Sequence, residues 1–218
     1  MKKDTLAKVY FRDPSRFADL CNYMIFDGKP VVSALNLMKE ENELLDEDGQ
    51  TPPTKQEKQQ RRSIVDMARQ IVIDGKPFAY VYLEHQSSVD YAMALRGART
   101  TILGLWNQFQ EARKKHKQCR DLLSGAEYLS GMKAEEVFLP VYVLVVYFGN
   151  EPWNGKRRLS DLFVNQSLSD FPYKADLQYG LRVLDYHEID NFEAFKSDLG
   201  LLLKALSVKD NNVAPLSA

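Results

Sequence analysis

The chain has 218 residues, 44% of them hydrophobic and 27% charged, with a formal net charge of −1. That is enough apolar material for one substantial core. The near-zero charge excludes a globally basic nucleic-acid binder, so any DNA contact has to come from local basic clusters. Two cysteines, Cys21 and Cys119, are too few for a disulfide framework or a Cys-rich zinc site. Met1-Lys2-Lys3-Asp4 leads into no apolar run, so no secretory signal is expected. The longest apolar stretch, around Val137 to Phe148, is too short to span a bilayer and contains Pro140. A cytoplasmic protein without a membrane partner is the expectation.

Asp13-Pro14-Ser15 predicts a helix start, with a capping carboxylate and Pro in the first turn. Phe17, Leu20, Cys21 and Met24 recur at helical spacing, and Gly28 with Pro30 ends the run. A second short helix is predicted over Val31 to Met38. From Lys39 to Arg62 the chain is polar, and a structureless loop of that length is uncommon unless mobile or functional. Ile64–Ile73 and Phe78–Gln86 read as strands flanking Asp74-Gly75-Lys76-Pro77, a hairpin signal. Ser87-Ser88-Val89-Asp90 then caps a long helix whose predicted buried stripe is Leu95, Ala98, Ile102, Leu105, Trp106 and Phe109. Its far end is basic, with Arg113, Lys114, Lys115, Lys117 and Arg120. Val141–Phe148 reads as a strand covered on both faces. A strand near Leu181–Tyr186 and a helical extension near Asn191–Leu206 complete one domain over 1–218. A helix between two strands of one sheet implies a crossover and a parallel pair, hence an α/β mixed sheet flanked by helices.

Tyr80, Tyr82, Glu84 and Gln86 share one face of their strand, since side chains alternate with period two. Asp66 lies on the partner strand. It stands opposite Glu84 only if the hairpin loop holds an odd number of residues or a bulge intervenes. A three-residue loop, Asp74 to Lys76 with Ile73 facing Pro77, meets the condition. Two carboxylates on adjacent strands form an all-oxygen site suited to Mg²⁺. Spacing alone leaves a second reading open, in which Glu84 merely ends the strand and pairs with Arg96 or Arg99. His85 alternates to the other side and reads as a packing or hydrogen-bonding residue; His116 and His187 read as surface residues, and Trp106 as core.

The string Tyr82-Leu83-Glu84-His85-Gln86-Ser87, followed by Asp90-Tyr91, Met93 and Leu95-Arg96, resembles the Rpn (YhgA-like) recombination-promoting nucleases, also labelled PD-(D/E)XK nuclease family transposases. The resemblance continues through Phe17-Ala18-Asp19-Leu20, Gly125 to Gly131, Leu139-Pro140-Val141, Tyr147-Phe148-Gly149, Trp153 and Leu159-Ser160-Asp161-Leu162. It implies a restriction-endonuclease-like core that cuts double-stranded DNA with Mg²⁺ or another divalent cation such as Mn²⁺. The implied activity is of low sequence specificity and linked to recombination or mobile elements. Carried over by residue, it makes Asp66, Glu84 and Gln86 the catalytic set, with Asp66, Glu84 and the His85 backbone carbonyl as metal ligands. Asp19 or Asp4 completes the set from the first helix, and Asp74 is a fallback for Asp66. Gln86 stands where the wider superfamily usually has lysine; a glutamine orients water but offsets no charge. Arg96, Arg99, Lys114, Lys115 and Lys117 are the DNA-binding candidates, and a homodimer is the expected assembly. The rival reading is a catalytically inactive DNA-binding or protein-interaction module that retains the nuclease fold.

Overall fold

The computed structural model describes residues 3–39, 43–45, 62–163 and 178–211. Helix α1 (Lys3–Tyr10) is followed by α2 (Pro14–Ile25), whose first turn is capped by the Asp13 carboxylate accepting from the Ser15 N–H at 2.9 Å. Beyond α2, the predicted helix over Val31–Met38 is instead a 3₁₀ turn, Ala34–Asn36, running into strand β1 (Leu37–Lys39). The Asn36 amide ties this turn to the Val72 carbonyl at 2.9 Å, so pairing with the sheet overrides local helical preference. The ends of the predicted long loop pair with each other, as antiparallel β2 (Glu43–Leu45) and β3 (Arg62–Ile64). The rest of it, 40–42 and 46–61, lies outside the described residues.

Strands β4 (Met67–Ile73) and β5 (Lys76–Gln86) form the hairpin, but its loop is shorter than predicted. Ile73 faces Lys76, leaving Asp74 and Gly75 as a two-residue turn. Both have positive φ, 51° and 74°, the conformation of the tight turn whose twist matches the flanking strands. An even loop alone would put Asp66 and Glu84 on opposite faces. A bulge at Phe78 restores the parity within the ladder, because Ile71 pairs with Ala79 while Val72 pairs with Pro77, but Asp66 lies beyond the last pair and its carboxylate turns to His85, whose ring faces away from Glu84. From there the register runs cleanly to Met67 opposite Leu83.

Helix α3 (Met93–Cys119) crosses over from β5 to β6 (Val141–Tyr147), which lies parallel to β5; the short helix α4 (Gly125–Ser130) precedes β6. Strand β7 (Arg182–Asp185) adds in parallel, giving the order β1-β4-β5-β6-β7. The predicted C-terminal helix starts later than expected, as α5 (Leu199–Asn211). One face of the sheet, with Val81, Leu83, Leu144, Val146 and Leu184, packs against α2 and α5 through Phe17, Leu20, Leu199 and Leu203. The other face packs against α3 around Tyr82, Val143, Val145, Met93, Ala94 and Leu103. The architecture is therefore an α/β mixed sheet flanked by helices, compatible with a restriction-endonuclease-like core.

The face that α3 buries differs from the predicted stripe. Met93, Ala94, Gly97, Ala98, Thr100, Leu103 and Gly104 are buried, whereas Leu95, Ile102, Leu105 and Trp106 are exposed. Small residues on the inner face let the helix backbone approach the sheet: a Cβ added at Gly104 would lie 3.1 Å from the Tyr82 ring and from Val141. Size, and not apolarity, chose the inner face.

Candidate functional site

Strand β4 ends at Met67 while β5 continues to Gln86, so the last residues of β5 have an open edge on the β4 side. A strand residue points its N–H and C=O to the same side. The Tyr80 N–H and Gln86 carbonyl bond towards β6, which turns the N–H and carbonyl of His85 to the open edge. Asp66 lies one residue before the Met67–Leu83 pair, and its carboxylate takes the place of the missing strand: Oδ2 accepts from the His85 N–H at 2.8 Å. The same oxygen lies 3.2 Å from His85 Nδ1, and in the Nδ1–H tautomer it accepts from the ring as well. His85 thus acts as a buried hydrogen-bonding residue, on the face opposite Glu84 as alternation predicts. Its ring lies close to those of Phe11 and Phe148, and Nε2 is buried without a partner.

The other Asp66 oxygen, Oδ1, is met by an ammonium that the sequence reading did not single out. Lys8 Nζ of α1 lies 2.6 Å away. No motif marks Lys8; only the packing of α1 against β5 brings it there.

Glu84 faces α3 and is buried. Arg96, in the first turn of α3, holds Asp90 at 2.6 Å and stands 3.7 Å from Glu84, so its main partner is a carboxylate. The two acids are held in opposite states. Burial pushes the Asp66 carboxyl up, but hydrogen bonds from the His85 ring, from Lys8 and from the His85 backbone outweigh that and hold it well below the usual carboxylate range. Burial, then repulsion from Asp66, push the Glu84 carboxyl up to about 7, against the opposing pull of Arg96 and Lys8. Gln86 sits on the Glu84 face, half-buried, paired with Tyr147 in the β5–β6 ladder.

The remaining candidates are not gathered here. The Asp19 carboxylate is committed elsewhere, accepting from Lys196 N, Ser197 N and Ser197 Oγ at 2.9, 2.7 and 2.6 Å. Asp4 belongs to α1, but its side chain lies outside the described residues. Asp74 occupies the hairpin turn at the opposite end of β4. Arg99 is exposed on α3 one turn after Arg96. Lys114, Lys115 and Lys117 are exposed near the far end of α3, and a rise of 1.5 Å per residue puts them roughly 30 Å from Arg96. His116 is not a surface residue: it is buried, with Asp121 and Glu136 each 2.7 Å from its ring nitrogens. His187 is half-buried against Asp185.

Among the described residues no group of three or more His, Cys, Asp or Glu side chains forms a metal cage. The donors this end of β5 offers are the Asp66 carboxylate on the His85 side, the Glu84 carboxylate on the α3 side and the His85 carbonyl at the open edge between them. That fits Mg²⁺, which is commonly bound through one or two carboxylates and keeps several waters.

The family model described as "Putative transposase, YhgA-like" matches residues 43–210. The chain belongs to this family. Membership of the YhgA-like family carries a mobile-element-linked, nuclease-like role. The matched segment includes Asp66, Glu84 and Gln86 and begins after α1. No curated protein and no solved structure matches the chain. Among the described residues no helix is long and apolar enough to cross a membrane.

Proposed function

We propose that this YhgA-like protein is a Mg²⁺-dependent endonuclease that hydrolyses phosphodiester bonds of double-stranded DNA with low sequence specificity. The observation that carries the reading is the pair of acids at the end of β5, Asp66 beside His85 at the open edge and Glu84 on the α3 side. Asp66 is held ionised by His85 and Lys8, and Glu84 is held near neutrality by burial and by Asp66. Such a pair of opposed carboxyls is uncommon in a purely structural role and common where charge has to be received.

Asp66, Glu84 and the His85 carbonyl would hold a divalent cation, which would supply polarisation of a phosphoryl oxygen and a water of lowered pKa. The chain's own residues do the rest. His85 fixes the Asp66 carboxylate from behind, so the acid is oriented before substrate arrives. As a ligand Glu84 would be ionised, its proton having passed to solvent. The Gln86 amide orients the attacking water by hydrogen bonding. The water oxygen forms one bond to phosphorus, the bond to the departing nucleotide oxygen breaks, and that oxygen takes the water's proton. The products are a hydroxyl end and a phosphomonoester end.

Manganese substitutes for magnesium in this proposal. A homodimer cutting both strands and a cytoplasmic setting belong to it too; the two cysteines are free, which suits a reducing compartment.

Plasmid nicking tests the site. Wild type should relax supercoiled DNA only with Mg²⁺ or Mn²⁺, and Asp66→Ala and Glu84→Ala should each be slower by on the order of 10²-fold or more. Equal cleavage by all three proteins overturns the assignment. A wild type that shifts DNA in a gel without cutting it under any divalent cation is an inactive DNA-binding member of the family.

A further inference from the structure

We propose that Lys8 is a working residue of this site: its ammonium contacts a non-bridging oxygen of the scissile phosphodiester and offsets the charge that builds there as water attacks. The inference rests on the DNA-cleavage reading above and adds a residue lying before the segment that the family match covers.

Geometry singles out this lysine. The two oxygens of Asp66 face different groups, Oδ2 turned to His85 within the protein and Oδ1 meeting Lys8 at 2.6 Å. The Lys8 side chain is 46% exposed against 18% for Asp66, so the lysine reaches solvent from a carboxylate that is largely enclosed. Only the lysine end of the pair is half-exposed, so solvent screening limits what it adds to stability and leaves the ammonium accessible to a second anion.

Charge counting gives the need. Two ionised carboxylates and a phosphodiester put three negative charges together, and attack by water adds more to the phosphoryl oxygens. A divalent cation cancels two. Gln86 carries no charge. Arg96 is engaged by Asp90 at 2.6 Å and stands 3.7 Å from Glu84. Lys8 touches Asp66 directly, and its long stem lets it swing between the carboxylate and an incoming phosphate.

Full-length wild type, Lys8→Gln and Lys8→Arg separate the outcomes. Single-turnover cleavage with Mg²⁺ should be slowed by Lys8→Gln by on the order of 10²-fold, mainly in kcat and not in KM, and Lys8→Arg should recover most of that loss. Independently of turnover, binding of a short duplex in Ca²⁺ should lose salt dependence in Lys8→Gln. Its slope of log K against log salt should be shallower by about 0.9, the signature of one phosphate contact. Thermal melts of the three proteins should coincide. Wild-type rates and an unchanged salt slope in Lys8→Gln overturn this inference and leave the nuclease reading standing. Equal loss of rate in Lys8→Gln and Lys8→Arg with a lowered melting temperature makes Lys8 structural and also overturns it. A wild type that cuts no DNA with any divalent cation removes the nuclease reading and this inference with it.

Discussion

Glu84 keeps its proton at a pH where an exposed carboxylate has lost it, because burial and the fixed charge of Asp66 both oppose ionisation. Folding therefore favours protonated Glu84, with the folded value near 7 against an ordinary 4.5. A group whose folded pKa is raised binds more protons in the native state between those two values, so stability falls as pH rises from about 4.5 to about 7 and is level above. The difference corresponds to about 3 kcal/mol at most, by 1.36 kcal/mol per unit. Glu84→Gln removes the penalty: it should stabilise the protein by about 1–3 kcal/mol at pH 8, and the gain should vanish below pH 4.5. Urea unfolding at the two pH values reads this, and a destabilised variant at pH 8 would contradict the proposed electrostatics. Asp66 has the reverse sign, contributing stability above its ordinary value that is lost as pH falls below it. Glu84 and Gln86 were legible at this scale, because two polar residues end an otherwise apolar alternating row. Lys8 was not, since a lone lysine in a short helix gives no sign of which carboxylate it will meet.

At the scale of elements, the hairpin and α3 decide where the site sits. Parity was the exposed point: the sequence required an odd loop or a bulge and favoured the loop. The chain uses an even turn with a bulge at Phe78, because Asp74-Gly75 is a strong two-residue turn former; the bulge recovers the parity of the ladder only as far as Met67, and Asp66 beyond it turns its carboxylate to His85. The inner face of α3 departs from the predicted stripe for a different reason. Periodicity marks apolar residues, but two overlapping faces were available, and the sheet accepts the one whose small residues permit close approach. This gives a paired test. Gly104→Val, which pushes methyls against Tyr82 and Val141, should lower stability by about 2–3 kcal/mol. Ile102→Ala on the exposed face should cost under about 1 kcal/mol. The reverse order in chemical denaturation would put the wrong face inward.

Across the whole molecule, Asp19 shows how a residue assigned to chemistry can belong to assembly. Its carboxylate binds Lys196 and Ser197, tying α2 to the chain just before α5 across 177 and 178 residues of sequence. Asp19→Ala leaves those backbone N–H groups without their acceptor and should cost about 2–4 kcal/mol, while metal-dependent cleavage per folded molecule stays at the wild-type rate. A loss of cleavage in a fully folded Asp19→Ala would return it to the site. The same tie explains the late start of α5, since the segment from Asn191 to Asp198 is bent to reach Asp19 before the helix begins.

The sequence by itself determined the α/β class, the parallel crossover β5–α3–β6, the family and the Glu84–Gln86 strand end, because alternation, turn chemistry and short motifs are local properties of the chain. The tertiary structure decided what depends on residues far apart: the Phe78 bulge in partnership with its strand, the inward face of α3, the commitment of Asp19 to α5, and the meeting of Lys8 with Asp66. Each of these is settled by packing and by the satisfaction of buried polar groups, which no single segment carries on its own.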